Sequence, residues 1–257
     1  MSGARRSRWS PLTGLRRFAL LGGGVIAWEL LAQSGAFSPI IFPSLGNVFR
    51  EFGLLLITGD RLVEAWYSLY RALGGFALAA VVGVLIGMAM GRSAWAAGVL
   101  EPLFSGTYPV PKIALFPIFI FVFGIGSRSK VVLVFLECLY PIVINTYYGT
   151  RTVNRVLLWS ARNMGASPGQ ILWKIVVPAT APFIFAGFRV ALPIAMIVVI
   201  ITEMIGSADG LGYLVIYSMA SLKTDRMLAA VLAIALLGLL LDGLLVLVRS
   251  RLVFWEK

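Results

Sequence analysis

The sequence predicts an all-α, polytopic membrane protein with about six transmembrane helices. Three observations lead there. Of its 257 residues, 60% are hydrophobic and 13% are charged, whereas soluble domains are about 45–50% apolar and about 25% charged. Apolar runs of about 20 residues, the length that crosses a bilayer, recur along the chain. The basic residues that give a net charge of +11 lie mainly at the ends of those runs.

The runs place spans at 17–37, 69–91, 99–123, 130–149, 181–205 and 227–248. A basic segment, 1–16, precedes the first. It has the charge of a signal peptide, but no small-residue cleavage site follows, so it reads as the flank of an uncleaved span. The segment 38–68 is too charged to cross a membrane. Its central stretch, "PSLGNVFREFGLLLITGDRLVEAW", reads as one or two short amphipathic helices on the outer, periplasmic surface. The spans from 69 to 249 form the core, and 250–257 is a short tail.

Orientation follows from Lys and Arg in the connections. With the N-terminus inside, the inner segments hold thirteen: Arg5, Arg6, Arg8, Arg16, Arg17, Arg92, Arg151, Arg155, Arg162, Lys174, Arg249, Arg251 and Lys257. The outer segments hold seven: Arg50, Arg61, Arg71, Arg128, Lys130, Lys223 and Arg226. Both termini are therefore expected in the cytoplasm. The same bias explains the basic charge without nucleic acid, so the expected surroundings are the lipid bilayer.

Two spans have unusual composition. Gly83, Gly87 and Gly91 make a small-residue stripe in the second, which lets helix backbones approach closely; packing within the chain explains it. The third carries Pro102, Pro109, Pro111 and Pro117, each removing a backbone donor. Irregular backbone at membrane depth survives only when buried in protein or facing a water-filled cavity, so this span is expected to line something. Its aromatic residues, Tyr108, Phe116, Phe119, Phe121 and Phe123, read as core packing or as a lining that closes the pathway to water.

Several chemistries are absent. There is no histidine, the commonest general base and metal ligand. The single cysteine, Cys138, cannot form an intrachain disulfide. The carboxylates are scattered, with no catalytic or metal-binding set. No G-x-x-x-x-G-K-[ST] loop occurs, and "GIGSRSK" (124–130) has the wrong spacing to cradle phosphates. No cofactor is expected in this chain.

The connection 150–180 is structured where a plain loop would be bland. Residues 154–164 carry an apolar pattern on good helix formers. Gly165 suits the left-handed residue that ends a helix. Ser167-Pro168-Gly169-Gln170 then reads as a new start, with Ser167 as N-cap, Pro168 at the first position and Gln170 completing a capping box. The second helix, about 168–176, is expected to break at Pro178 and Pro182. Connections this long usually carry structure or function. Two capped helices with exposed apolar and basic side chains suit docking onto another protein.

Here the chain resembles the ABC-importer permeases. Their cytoplasmic "EAA" loop reads E-A-A, three residues, G, nine residues, I-x-L-P. Gly165 is followed at the same spacing by Ile175-Val176-Val177-Pro178, while Trp159-Ser160-Ala161 stands where E-A-A would. "SLYRALGGFALAAVVGVLIGMAMG" (68–91), "YPVPKIALFPIFIFVFGIGSRSK" (108–130) and "EMIGSADGLGYLV" (203–215) resemble the nitrate, sulfonate, taurine and bicarbonate branch. The resemblance covers about residues 40–250. It implies the type I importer permease fold with a cytoplasmic coupling helix. It also implies two separate ATP-binding cassette subunits that bind ATP and Mg, a second permease copy as in a homodimer, and a periplasmic solute-binding protein. By the same resemblance Arg162, Asn163, Gly165, Ala166, Ser167, Pro168 and Gln170 form the element that seats in the ATPase. The solute would be a small, mostly anionic compound, such as a sulfonate, taurine, nitrate, bicarbonate or an aromatic acid. The chain itself would be non-catalytic.

Charges inside spans are costly and point to function. Lys112 and Arg189 could present positive potential to a crossing anion. Equally, Lys112 could bond carbonyls freed by the prolines, and Arg189 could pair with a nearby carboxylate. Phe116 and Glu203 complete the candidate pathway set, Glu203 beside a glycine-rich turn that could be a gate, a docking surface or a re-entrant cap. Glu137 and Asp242 read as structural partners. The competing reading is a self-contained secondary carrier or channel; it lacks the internal repeat such carriers often show and leaves the elbow unexplained.

Overall fold

Helix follows helix along the chain. The computed structural model describes residues 11–255, with side-chain placement for all of these except 11–19, Leu21 and Asp60. The first ten residues of the basic segment 1–16, and the last two of the tail, lie outside the described residues. The elements are α1 (Pro11–Gln33), α2 (Leu45–Ile57), α3 (Gly59–Arg92), α4 (Ala94–Thr107), α5 (Phe116–Phe123), α6 (Ser127–Arg151), α7 (Arg155–Asn163), α8 (Pro168–Ile171), α9 (Val177–Gly206), α10 (Leu211–Ala220) and α11 (Thr224–Leu252).

Four runs are long and apolar enough to cross a membrane among the described residues: Arg61–Arg92, Ser127–Arg151, Pro168–Gly206 and Thr224–Leu252. A fifth is a bent pair. The expected first span is helical only to Gln33, after which the chain turns.

α6 packs along α3 on one side and α9 on the other. The glycine stripe makes the first pairing possible. A Cβ at Gly83 would lie 2.8 Å from the Ile142 side chain, and one at Gly87 would lie 2.6 Å from Thr146. The stripe therefore serves packing within the chain. Ala79, Phe116, Val134, Ile142, Ala195 and Val199 fill the centre between α3, α5, α6 and α9.

Three features sharpen or correct the expectation. The third span is broken: α4 ends at Thr107, a 3-10 turn covers Lys112–Leu115, and α5 leaves at 84°. Pro109 and Pro111 stand in the gap, where two lost donors and fixed φ angles prevent a helix. The second span starts ten residues early, because α3 begins at Gly59. The surface segment expected to run to 68 thus holds one short helix, α2. Pro178 and Pro182 do not separate the second elbow helix from the fifth span. A π-turn at Leu172–Val176 precedes Pro178 and the helix continues through Pro182 and Pro193. The wider turn takes up the clash between a proline ring and the carbonyl four residues back, here that of Lys174.

Candidate functional site

The connection between α6 and α9 closes on itself through local hydrogen bonds. Asn154 Oδ1 accepts from the Val156 amide at 2.8 Å and starts α7. Gly165, at φ +79°, ends it. The Gly165 amide donates to Arg162 O at 2.9 Å and the Ala166 amide to Ala161 O at 3.0 Å, the paired closure of a Schellman motif. Two residues later Ser167 Oγ accepts from the Gln170 amide at 3.3 Å, and Gln170 Oε1 accepts from the Ser167 amide at 2.9 Å. That is a complete capping box with Pro168 behind it. Every helix end in the elbow is therefore satisfied within a few residues.

Beneath the caps lies a small core of its own: Val153, Ala161, Ile171 and Val176, joined by Leu158 and Ile175. Ala161, last of the three residues standing in the E-A-A place, is buried there, and Trp159 is exposed. Glutamate's replacement thus falls on a solvent-facing position, and the small residue that the packing demands is kept. Outside, Arg162, Asn163 and Lys174 are exposed, beside Met164 at 80% and Trp173 at 70%. An apolar groove of about 480 Å³ separates Pro168 and Trp173 from Met88 and Arg92 at the end of α3.

Lys112 and Phe116 lie one turn apart, and the four candidate pathway residues share no hydrogen bond, ion pair or ring contact among the described residues. Lys112 is buried at the break between α4 and α5. Its Nζ reaches Val110 O at 3.4 Å and Tyr108 O at 3.5 Å, carbonyls left free by the prolines. It also sits 4.0 Å from Glu137 Oε2 and 4.0 Å above the Tyr140 ring. Phe116 is in the central core. Arg189 pairs with Asp242 at 3.5 Å, both half-exposed, between α9 and α11.

Glu203 belongs to a cluster at the far end of the bundle. It is 1% exposed, as is Arg71, whose Nη1 donates to Glu203 Oε1 at 2.7 Å. Ser68 Oγ and the Gly212 amide donate to Glu203 Oε2 at 2.7 and 3.0 Å. Arg71 also donates to Ser127 Oγ at 3.0 Å, to Asp209 O at 3.2 Å and to the Asp209 carboxylate. Glu64 accepts from the Gly210 amide. Gly210, at φ +101°, has no room for a Cβ against the Glu203 carboxylate. Burial pushes the Asp209 carboxyl up, but hydrogen bonds from Arg71 and Ser207 outweigh it and hold the group below its ordinary value. Arg71, Ser68, Asp209 and Glu64 were not among the candidates. The available signal was one arginine and one glutamate, each inside an apolar run, where such charges pair.

Residues 79–254 match the family model described as "Binding-protein-dependent transport system inner membrane component". The taurine transport system permease protein TauC of Escherichia coli (strain K12) is 31% identical over 98% of this chain and 95% of its own length. A Bacillus subtilis (strain 168) protein named for aliphatic sulfonates transport, SsuC, is 31% identical over 98% of this chain and 90% of its own. Among solved structures, the MetNI methionine ABC transporter in an inward-facing form superposes with a TM-score of 0.62. It covers 76% of this chain and 96% of that one at 19% identity, a likeness of fold. The chain belongs to the binding-protein-dependent inner membrane component family: it is a non-catalytic, membrane-spanning permease subunit of an ABC transporter.

Proposed function

We propose that the 152–178 elbow is the coupling element of this permease and that its solute is a small sulfonate-like anion. The observation that carries the coupling role is the elbow's closure. Arg162, Asn163, Gly165, Ala166, Ser167, Pro168 and Gln170 are held by paired caps over a private core, with Met164 and Trp173 bare beside basic side chains. A body capped in this way transmits a push; a floppy loop would absorb it. Its partner would be a separate ATP-binding subunit, which carries ATP and Mg, and closure of two such subunits would drive two elbows together. The permease would pair with a second copy of itself and receive solute from a binding protein. The names of TauC and SsuC support the sulfonate class.

The charge pattern supports cytoplasmic termini and a cytoplasmic elbow. Thirteen Lys and Arg in the inner segments against seven in the outer ones favour that orientation.

Uptake tests the reading. The permease, its ATP-binding subunits and its binding protein are reconstituted together and offered taurine and alkanesulfonates. ATP-dependent uptake is expected, falling at least about tenfold in Arg162→Glu with thermal stability unchanged, an effect of about 1.4 kcal/mol on coupling. Full uptake by Arg162→Glu overturns the coupling role. Uptake by the permease alone on an ion gradient overturns the ATP-driven reading.

A further inference from the structure

The face where α4 meets α6 carries polar side chains through much of the membrane's depth. On α6, Glu137, Tyr140, Tyr148 and Arg151 lie on one stripe of the helix, with Ile144 between the two pairs. From Glu137 to Arg151 the stripe rises about 21 Å at 1.5 Å per residue. The facing groups on the broken span answer it. Thr107 Oγ1 and Tyr140 OH lie 2.6 Å apart. Tyr147 OH donates to Glu101 Oε2 at 2.9 Å and accepts from Arg151 Nη1 at 2.8 Å. Lys112 and Glu137 close the upper end.

The face is open as well as polar. Ser105, Tyr108 and Tyr148 are exposed along it. Two adjoining cavities, about 360 and 60 Å³, share Met90, Glu101 and Tyr147 as walls. The larger opens at the elbow end, where Arg92 and Arg151 face Glu101. Arg92 makes no hydrogen bond or ion pair among the described residues. That end carries one positive charge in excess, whereas Lys112 and Glu137 offset each other.

A face of this kind cannot meet lipid tails cheaply, because charges at membrane depth lie against water or protein. A headgroup site would explain the two arginines, since basic pockets between helices at the cytoplasmic surface bind anionic headgroups. It would not explain polar side chains continuing about 21 Å inward, across most of a hydrocarbon core of about 30 Å.

We propose that the α4–α6 face is a wall of the solute pathway and that Arg92, with Arg151, forms an anion-attracting mouth at its elbow end. The inference rests on the reading of the solute as an anion and of the elbow end as cytoplasmic. The opposite wall comes from a second permease chain. Lys112 stands at the closed end, held by its carbonyls, Glu137 and Tyr140, where the chain breaks.

Thiol labelling tests this without any solute. Ser105→Cys is made in the full transporter; native Cys138 is fully buried, so the parent protein sets the background. Vesicles are treated with an anionic reagent, 2-sulfonatoethyl methanethiosulfonate, and its trimethylammonium counterpart, and each rate is divided by that with free cysteine. The cysteine is expected to react, with the anionic reagent favoured. Arg92→Gln should lower that preference at least about twofold, the effect of one unit charge across about 8 Å of water. Absence of reaction with either reagent, a cationic preference, or a preference indifferent to Arg92→Gln overturns the proposal. Blocking of the reaction by phosphatidylglycerol, relative to phosphatidylcholine vesicles, assigns the mouth to a lipid headgroup and also overturns it. Because labelling needs no transported compound, failure of sulfonate uptake would leave this result standing on its own.

Discussion

The two ends of the bundle are ordered by different physics. At the elbow, every decisive hydrogen bond joins residues two to five apart, from Asn154 to Val156 and from Ala161 to Ala166. At the opposite end, Arg71 reaches Glu203 and Asp209 across 132 and 138 residues. Local closure gives a body that keeps its shape while the helices around it shift. A long-range ion pair ties α3 to α9, and a hydrogen bond from Arg71 to Ser127 adds α6.

The comparison breaks most visibly at Glu203. Glu203→Ala takes the fully buried carboxylate from the Arg71 guanidinium and leaves it only the half-exposed Asp209. Removing one partner of a buried pair costs about 3–5 kcal/mol, which should appear as a large fall in the thermal midpoint of the detergent-solubilised protein. Arg71→Met combined with Glu203→Leu should recover much of it, because the buried guanidinium goes too. A Glu203→Ala protein as stable as the parent would mean that the cluster does not hold the frame.

A smaller, contained effect is expected at the elbow. Gly165 has open space around it, so Gly165→Ala meets only the left-handed φ of +79°, a strain of about 1–2 kcal/mol. The bundle's thermal midpoint should stay, while affinity for the ATP-binding subunit falls. A shift in the midpoint instead would show that elbow and bundle unfold together, erasing the contrast between the two ends.

The smallest effect is in pH. The Asp209 carboxyl is held below its ordinary value of 3.8 by Arg71 and Ser207, so its stabilising contribution is present above that value. It is lost as pH falls through the lower value of the folded state. Acid unfolding below about pH 4 should therefore be less steep in Asp209→Asn than in the parent. Identical acid transitions in the two proteins would leave Asp209 outside the frame.

How much of this was legible in the chain follows the same division. Gly165 and Ser167-Pro168-Gly169-Gln170 announce the elbow because caps are made by neighbours, and the structure closes them as their types require. Four prolines announced a disturbed third span, and the chain does break there, but the 84° turn came from how α5 packs on the centre. Pro178 and Pro182 were read as a stop, yet a π-turn lets the helix run on. Residues 59–68 were read as surface because the segment 38–68 is too charged to cross a membrane. Glu64 and Ser68 find their acceptors and donors, Gly210, Leu211 and Glu203, more than 130 residues away.

The sequence by itself determined the class of protein, the number of long apolar runs within one or two, the caps of the elbow and the glycine stripe. Each of these depends on composition, on helical period or on residues within a turn of one another. Only the tertiary structure decided that Arg71 meets Glu203, that Lys112 leans on Tyr140, and that Ser105 and Tyr148 share an open face with Arg92 and Arg151. A charge inside a span must find a partner, and which partner it finds depends on which helices lie side by side.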